Sequence, residues 1–290
     1  MEITSELKKK IEEITGAEII SNNSVSGGCI SNACKLETTS GKNYFLKFND
    51  FSSNDMFVKE ANGLRELRKA NVIRAPEVIS AENSFILLEY IESDHPSRNF
   101  FEDFGRKFAE MHKYRSDSFG FFEDNYIGST DQKNIPDENE KNNWVEFYWN
   151  KRILFQYRLS EKNGFATSEL KDGIKKLESN VNNILSASEE KPSLLHGDLW
   201  GGNYMPDENG NACLIDPAVY YGHREADLAM TKLFGGFDSK FYTAYNEANP
   251  LKEGWRYREN IYKLYHVLNH LNLFGRGYYP QAISLIKNYL

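Results

Sequence analysis

The stretch that decides the fold is Leu195-His196-Gly197-Asp198-Leu199-Trp200-Gly201-Gly202-Asn203, followed by Leu214-Ile215-Asp216-Pro217. An aspartate is followed five positions later by an asparagine, and a second aspartate ends an apolar run thirteen positions beyond that. Residues 205–210 have the composition of a turn, and residues 212–215 have that of a strand. The pattern therefore predicts a short hairpin with a polar loop at each end.

The polar side chains of these two loops are the types that phosphoryl transfer from ATP requires. In such reactions a carboxylate orients the attacking hydroxyl, and oxygen ligands hold Mg²⁺ on the phosphates. Asp198 fits the first role, and Asn203 and Asp216 fit the second. His196, Asp198 and Asn203 also match the H-x-D-x-x-x-x-N pattern of kinase catalytic loops. The sequence thus predicts phosphotransfer with ATP and Mg²⁺ as cofactors. Because Asp198 is already placed to accept the proton of the hydroxyl, His196 is expected to brace the loop by hydrogen bonds.

The bulk composition is that of a globular protein, and the net charge disfavours some classes of binding partner. Of 290 residues, 40% are hydrophobic and 27% are charged, which argues against disorder. The net charge of −7 disfavours a nucleic acid or an anionic membrane, because both require a basic face. No apolar run approaches the ~20 residues of a membrane span. The three cysteines, Cys29, Cys34 and Cys213, lack metal-ligand spacing and an even-numbered framework, so we expect a cytoplasmic protein.

The pattern of elements changes along the chain from strand-rich to helical. Before residue 91 it predicts helices over residues 1–16 and 54–70 and strands over 18–25, 32–38, 43–48, 75–81 and 84–90. After residue 91 it predicts helices over 101–114, 144–163 and 166–186, the catalytic hairpin, and further helices from residue 225. Residues 115–142 are polar and are expected to form an ordered surface loop. The first helix either covers the front of the protein or contacts a second copy.

This organisation predicts an α+β fold of two lobes. Residues 1–90 would form a small N-terminal nucleotide-binding lobe built on an antiparallel sheet. Residues 91–290 would form a larger, mainly helical C-terminal lobe with the catalytic hairpin and the substrate site. Ligands commonly bind between such lobes.

The front lobe contains candidates for binding the phosphates of ATP. Lys47 lies in an apolar strand from which its side chain could reach the phosphates, and Glu60 on the next helix is placed to hold it. An isolated strand lysine is usually solvated, but the downstream Asp and Asn residues favour the phosphate role. Gly27 and Gly28 lie in the turn between the first two strands, where backbone N–H groups could approach phosphates, although a plain hairpin turn has the same glycines.

Two further features of the front lobe carry hypotheses. The strand that leaves the lobe is apolar, and the backbone groups of Glu89 and Ile91 could pair with adenine; a buried core strand has the same sequence. Cys29 lies in the expected phosphate loop, where positive charge and backbone donors lower a thiol pKa. A redox-sensitive nucleotide site, including an intermolecular disulfide, is one interpretation of Cys29, and a small residue that fits the turn is the other.

Segments along nearly the whole chain carry a family resemblance. They are residues 27–30, 45–47, 60–64, 119–121, 124–130, 195–200, 215–218, 221–229 and 264–275. With them the chain resembles the fructosamine (ketosamine) kinases, a branch of the protein-kinase-like fold that also holds the aminoglycoside and choline kinases. Two sequence motifs distinguish this family from those relatives: Gly-Asp-Leu-Trp at 197–200 and Tyr-Gly-His-Arg-Glu at 221–225.

The resemblance implies a reaction. ATP would phosphorylate the 3-hydroxyl of a ketose attached to an amine, as formed when glucose or ribose glycates lysine, and the unstable product would shed the sugar in protein deglycation. Trp200, two residues after Asp198, would contact the sugar; a core tryptophan is the alternative. Arg224, Glu225 and Asp227 would tie the loop after the hairpin to a helix start.

Other functions share the same machinery. A kinase of the aminoglycoside or choline type would need Asp198, Asn203 and Asp216 as well, but not the flanking segments. A non-catalytic nucleotide-binding scaffold is disfavoured, because Lys47 and all three of those residues are present. The partner is expected to be a free or protein-bound ketosamine, and the oligomeric state, monomer or homodimer, is left open.

Overall fold

The N-terminal part of the chain is an antiparallel sheet with one helix on each face. The structure, a computed structural model, describes residues 3–25, 32–49 and 55–290. The N-terminal elements are α1 (Ser5–Thr15), β1 (Ile19–Ser24), β2 (Asn32–Thr38), β3 (Asn43–Phe48), α2 (Met56–Ala70), β4 (Val78–Glu82) and β5 (Phe85–Glu89). The strands lie in the order β1-β2-β3-β5-β4, and every neighbouring pair is antiparallel.

The alternation of side chains along the strands gives the sheet two apolar faces. On one face Leu46 and Leu87 pack on Ile11 of α1, which answers the open question about the first helix: it covers the sheet. On the other face Ile86 packs in the same core as Leu64 of α2. Lys47 pairs with Ile86 across β3 and β5, so its side chain projects toward α2.

The C-terminal part is mainly helical and contains three short two-stranded pairings. Its elements are α3 (Phe100–Met111), β6 (Asn125–Ile127), β7 (Thr130–Gln132), α4 (Trp144–Tyr148), a π-helical segment (Trp149–Leu154), α5 (Phe155–Lys162), α6 (Ser168–Leu185), β8 (Ser193–Leu195), β9 (Tyr204–Pro206), β10 (Ala212–Leu214), β11 (Tyr220–Gly222), α7 (Arg224–Thr231), α8 (Ser239–Ala248), α9 (Trp255–Phe274) and α10 (Tyr279–Lys287). The strands pair as β6–β7, β8–β11 and β9–β10. None of the helices in the described ranges has the length and apolar character that a membrane crossing requires.

The segment 115–142 differs from its expectation. It is ordered, but it is not a surface loop, because it contains the hairpin β6–β7 and buries Asn125, Gln132 and Asn134. These polar side chains satisfy one another: Asn125 Oδ1 accepts from Gln132 Nε2 at 2.9 Å and from Asn134 Nδ2 at 2.7 Å. Polar composition indicates exposure only when the polar groups have no internal partners.

Two smaller predictions about elements are also corrected. The helix predicted over residues 144–163 is interrupted by the π-helical segment, where the fully buried Arg152 enters the core. Residues 205 and 206 were expected in a turn but belong to strand β9, which pairs with β10. The predicted α+β composition is confirmed. The boundary between lobes at residues 90 and 91 stays a prediction, since one apolar core includes Leu88 on one side of it and Phe104 on the other.

Candidate active site

The catalytic hairpin brings Asp198 and Asn203 into contact. Strand β8 ends at Leu195, and the loop that follows it returns through β9. Asn203 is buried, and its Nδ2 donates to the main-chain oxygen of Asp198 at 2.8 Å and to the Asp198 carboxylate at 3.3 Å. Because the amide nitrogen is directed at Asp198, the amide oxygen is the atom that a metal could use.

Asp216 joins the hairpin to the front lobe. Its backbone lies in the left-handed region, with φ of 53°, which an aspartate tolerates better than most residues and which is typical of functional loops. Its carboxylate accepts a hydrogen bond from Lys47 of β3. Lys47 Nζ also lies 2.8 Å from Glu60 Oε1 of α2, and this lysine and glutamate are 11% and 15% exposed. The structure therefore brings Lys47, Glu60 and Asp216 together, and their roles stay predictions.

The site brings the ammonium group of Lys47 together with the carboxyl groups of Glu60, Asp216 and Asp198. Burial disfavours the charged form of Lys47, but the carboxylates of Asp216 and Glu60 outweigh it and raise the pKa of the ammonium. Burial raises the pKa of the Asp198 carboxyl well above its usual range, and the charge of Asp216 adds to this, while the amide of Asn203 opposes it. A divalent cation would relieve the repulsion between the carboxylates of Asp198 and Asp216. Oxygen atoms of Asp216 and Asn203 are the ligands that Mg²⁺ prefers, so the residues present fit the expected ion.

For the other residues predicted to contact the nucleotide, the structure gives fewer contacts. The N–H of Glu89 donates to the carbonyl of Glu77 at 2.8 Å, and its carboxylate accepts from Arg74 at 2.6 Å. Pairing with adenine would thus fall to the carbonyl oxygen of Glu89 and to the main chain of Ile91, whose side chain is buried. The candidates Gly27, Gly28 and Cys29 lie outside the described residues.

Trp200 is not a core residue. It is 39% exposed, and its ring lies so close to Gly202 that a Cβ at that glycine would be 2.5 Å from it. The ring also makes an edge contact with Phe234, at 6.0 Å between centroids. Because it follows Asp198 by two residues on the surface, Trp200 offers an aromatic face beside the expected reaction centre.

The catalytic loop is fixed to the Asp216 loop by main-chain contacts. Gly197 has φ of 82°, and a Cβ there would lie 2.0 Å from the carbonyl oxygen of Ala218. The main-chain carbonyl of His196 accepts a hydrogen bond from the N–H of Ala218 at 2.9 Å. The ring Nε2 of His196 donates to the carbonyl of Ile215 at 3.0 Å. Burial lowers the pKa of His196, which favours this neutral, bracing form. Its contacts match the bracing role expected from the sequence.

Asp227 anchors the catalytic loop, a role that the sequence did not predict for it. Its carboxylate accepts from the N–H groups of His196 at 2.7 Å and Gly197 at 2.8 Å, and it lies 3.3 Å from the ring of His112. The expected tie from residues 224, 225 and 227 to a helix start is therefore corrected: Asp227 holds the catalytic loop itself. Glu225 and Arg224 form separate ion pairs, with Arg258 and Glu190.

Comparison with known proteins shows to which family the chain belongs. The family model described as fructosamine kinase matches residues 3–290. The chain belongs to the fructosamine kinase family. It is similar to the chloroplastic protein-ribulosamine 3-kinase of Oryza sativa subsp. japonica, with 40% identity over 288 residues that cover 97% of this chain and 80% of the relative. The predicted family and the predicted kinase class are thereby confirmed.

Solved structures agree with this membership and with the fold. A candidate fructosamine-3-kinase from Thermobifida fusca has a TM-score of 0.88 and 31% identity, and the match covers 99% of each chain. The streptomycin–ATP–APH(2")-IIa ternary complex has a TM-score of 0.63 at 16% identity and covers 99% of this chain and 97% of that one. At that identity the likeness shows the fold alone, so the two-lobed kinase-like architecture is confirmed, and an aminoglycoside substrate gains no support.

In this kinase the helix that carries Glu60 is held by the segment that was expected to be a surface loop. Glu123 accepts from Lys59 Nζ and from Asn62 Nδ2, both at 2.8 Å. Tyr126 donates to the carboxylate of Asp55 at 2.9 Å, just before α2 begins. These contacts fix the distance between α2 and the C-terminal part of the chain. We infer that they help to keep Glu60 on Lys47.

Replacing Glu123 with glutamine is expected to lower kcat/KM for ATP about three- to tenfold, because it removes one half-buried ion pair that holds α2. Steady-state kinetics with varied ATP would measure this. The matched control is Glu138→Gln, which removes a surface pair with Lys141 in which the glutamate is 88% exposed. Equal kinetics in both variants would show that this contact does not position Glu60.

Proposed function

We propose that this protein transfers the γ-phosphoryl group of ATP to the 3-hydroxyl of the ketose in a ketosamine, and so initiates deglycation of the amine. The observation that carries the proposal is the assembly of Lys47, Asp216, Asn203 and Asp198 in one contact network, in a chain of the fructosamine kinase family. Kinases of this family use ATP as the phosphoryl donor, and the remaining assignments are inferences from the site.

The groups around the nucleotide follow from the contacts. Lys47 would bind the α- and β-phosphates, with Glu60 fixing its side chain. The main chain at Glu89 and Ile91 would meet adenine, and Gly27 and Gly28 would cover the phosphates. Asp216 and the amide oxygen of Asn203 would hold Mg²⁺. When bound, the ion neutralises charge on the phosphate oxygens.

Asp198 would act on the acceptor. Its carboxylate would take up the proton of the sugar 3-hydroxyl as the oxygen bonds to the γ-phosphorus, and ADP would leave with the electrons of the broken P–O bond. The half-exposed ring of Trp200 would lie against the C–H face of the ketose. The relative in rice is named for ribulosamine carried on protein, which makes a ribulosamine the first substrate to test. A cytoplasmic location and a monomeric or homodimeric state remain expectations.

A substrate panel tests the proposal. We expect Mg²⁺-dependent ADP formation with ribulose-lysine or fructose-lysine, little with an aminoglycoside or choline, and loss of the activity in Asp198→Asn. A coupled assay for ADP would measure turnover, and phosphorus NMR of the product would locate the phosphate. Turnover only on the aminoglycoside or choline would move the protein's activity to that of the sister families. Turnover on no acceptor would favour a binding scaffold.

A further inference from the structure

A row of neighbouring aromatic rings begins at Trp200, two residues after Asp198. We call it the aromatic ledge, and its members are Trp200, Phe234, His270, Phe274 and Tyr278. The ring centroids are 6.0 Å apart from Trp200 to Phe234 and 4.9 Å apart from Phe234 to His270. From His270 the row continues to Phe274 at 5.4 Å and to Tyr278 at 5.1 Å.

Trp200, Phe234 and Phe274 are the exposed rings of the ledge, whereas His270 and Tyr278 are partly buried and Tyr278 also packs against the core. Phe234 is 38% exposed and Phe274 is 61% exposed. Phe237, three residues after Phe234, shows the alternative: it packs against the core rings of Phe104 and Phe241. The loop between α7 and α8 thus packs one phenylalanine, partly buried, against the core and presents the other beside Trp200. Single exposed aromatic residues are common, but three exposed rings linked in one contiguous row are typical of binding surfaces.

The position of the ledge defines what it would contact. It is continuous with the ring proposed to hold the ketose, so anything attached to that ketose through its C1 amine would extend over the neighbouring rings. We propose that the aromatic ledge binds the amine-borne part of the ketosamine, namely the methylene stem of a modified lysine and an apolar residue next to it in an exposed peptide segment. This inference rests on the proposed function and deepens it.

The chemistry of such a substrate suits the surface. The secondary amine of a ketosamine carries positive charge when protonated, and an aromatic face attracts a cation as well as the methylene groups beside it. With the ketose on Trp200, the stem would lie on Phe234, the next ring along the ledge. The flanking peptide residue would reach Phe274 and Tyr278, at the far end of the row. The ledge would therefore select for peptide-borne over small ketosamines.

A series of acceptors of increasing length tests the inference. Ribulosamines of methylamine, of n-butylamine, of Nα-acetyl-lysine amide, and of lysine in a short peptide with a neighbouring leucine would be compared by kcat/KM. With the parent protein we expect kcat/KM to rise along the series. We expect Phe234→Ala to reduce the step from methylamine to n-butylamine about five- to tenfold, and Phe274→Ala to reduce only the last step by a similar factor.

The control variant is Phe122→Ala, because Phe122 is 67% exposed and lies outside the ledge. It is expected to keep the parent's full dependence on acceptor length, and melting temperatures of all three variants would confirm that each is folded. A parent that turns over the methylamine adduct but shows no rise along the series, or a rise unchanged in Phe274→Ala, would overturn the ledge and leave the proposed function standing. A parent that turns over no ribulosamine would overturn both.

Discussion

Replacing Asp198 with asparagine is expected to lower kcat by roughly 10²–10⁴-fold with little change in ATP binding. The amide cannot accept the proton of the attacking hydroxyl, but it keeps the size of the carboxylate and an oxygen that can accept from Asn203, now 3.3 Å away. Single-turnover kinetics would measure the chemical step, and titration with a fluorescent ATP analogue would measure nucleotide affinity. Turnover equal to that of the parent would exclude Asp198 as the acceptor of the proton.

The same substitution is expected to raise the melting temperature in the absence of nucleotide. Burial and Asp216 raise the pKa of Asp198 in the folded state. Between the ordinary carboxyl pKa and this raised value the folded state binds more protons than the unfolded state, so the free energy of unfolding falls as pH rises. As pH rises through this range, the parent therefore loses stability, whereas the asparagine variant does not. Below the ordinary carboxyl pKa this difference in stability between the two proteins should vanish.

A matched control separates this effect from a general change of charge. Asp131→Asn removes a carboxylate that is 56% exposed and pairs with Lys133, away from the catalytic hairpin. It should leave kcat unchanged and change the melting temperature at neutral pH by no more than a small surface effect. A variant of Asp198 that is less stable than the parent at neutral pH would contradict the electrostatic account of the site.

The parts of the site that were predictable from sequence are those whose contacts follow from local spacing. Asp198 and Asn203 lie five residues apart in one loop, and Lys47 lies in a strand whose alternation fixes the side on which it projects. In such cases the element that carries the residue also determines its neighbourhood. The catalytic hairpin and most of the helices and strands were predictable for the same reason.

The parts that were missed depend on contacts between residues distant in sequence. Arg152 is fully buried: it donates to Asn134 Oδ1 at 2.7 Å, and its guanidinium lies 4.0 Å from the centre of the Tyr220 ring. No local pattern shows that an arginine within a helical run will be enclosed by a hairpin and a strand from elsewhere. For the same reason the polar composition of segment 115–142 predicts exposure, although its polar partners are brought to it by folding.

Among the roles that the sequence did not predict, that of Asp227 has the largest consequence. Its side chain is 2% exposed, and it is the hydrogen-bond acceptor for two adjacent main-chain N–H groups that precede Asp198. Replacement by alanine would leave both N–H groups buried without that acceptor, and would remove one of the two ring partners of His112, the other being the Tyr245 hydroxyl. We expect the free energy of unfolding to fall by roughly 3–5 kcal/mol. We also expect kcat to fall at least tenfold, because the loop that orients Asp198 would lose its anchor.

Asp227→Asn provides the intermediate case, because its amide oxygen can accept one of the two N–H groups. It should lose less stability than the alanine variant while still lowering kcat. Asp238→Ala is the control, since Asp238 also accepts a main-chain N–H, that of Lys240 at the start of α8, but far along the chain from the catalytic loop. Its cost should be about 1 kcal/mol with unchanged kcat. If Asp227→Ala resembled Asp238→Ala in both denaturant unfolding and kinetics, the catalytic loop would have to be held by its contacts with Ile215 and Ala218 instead.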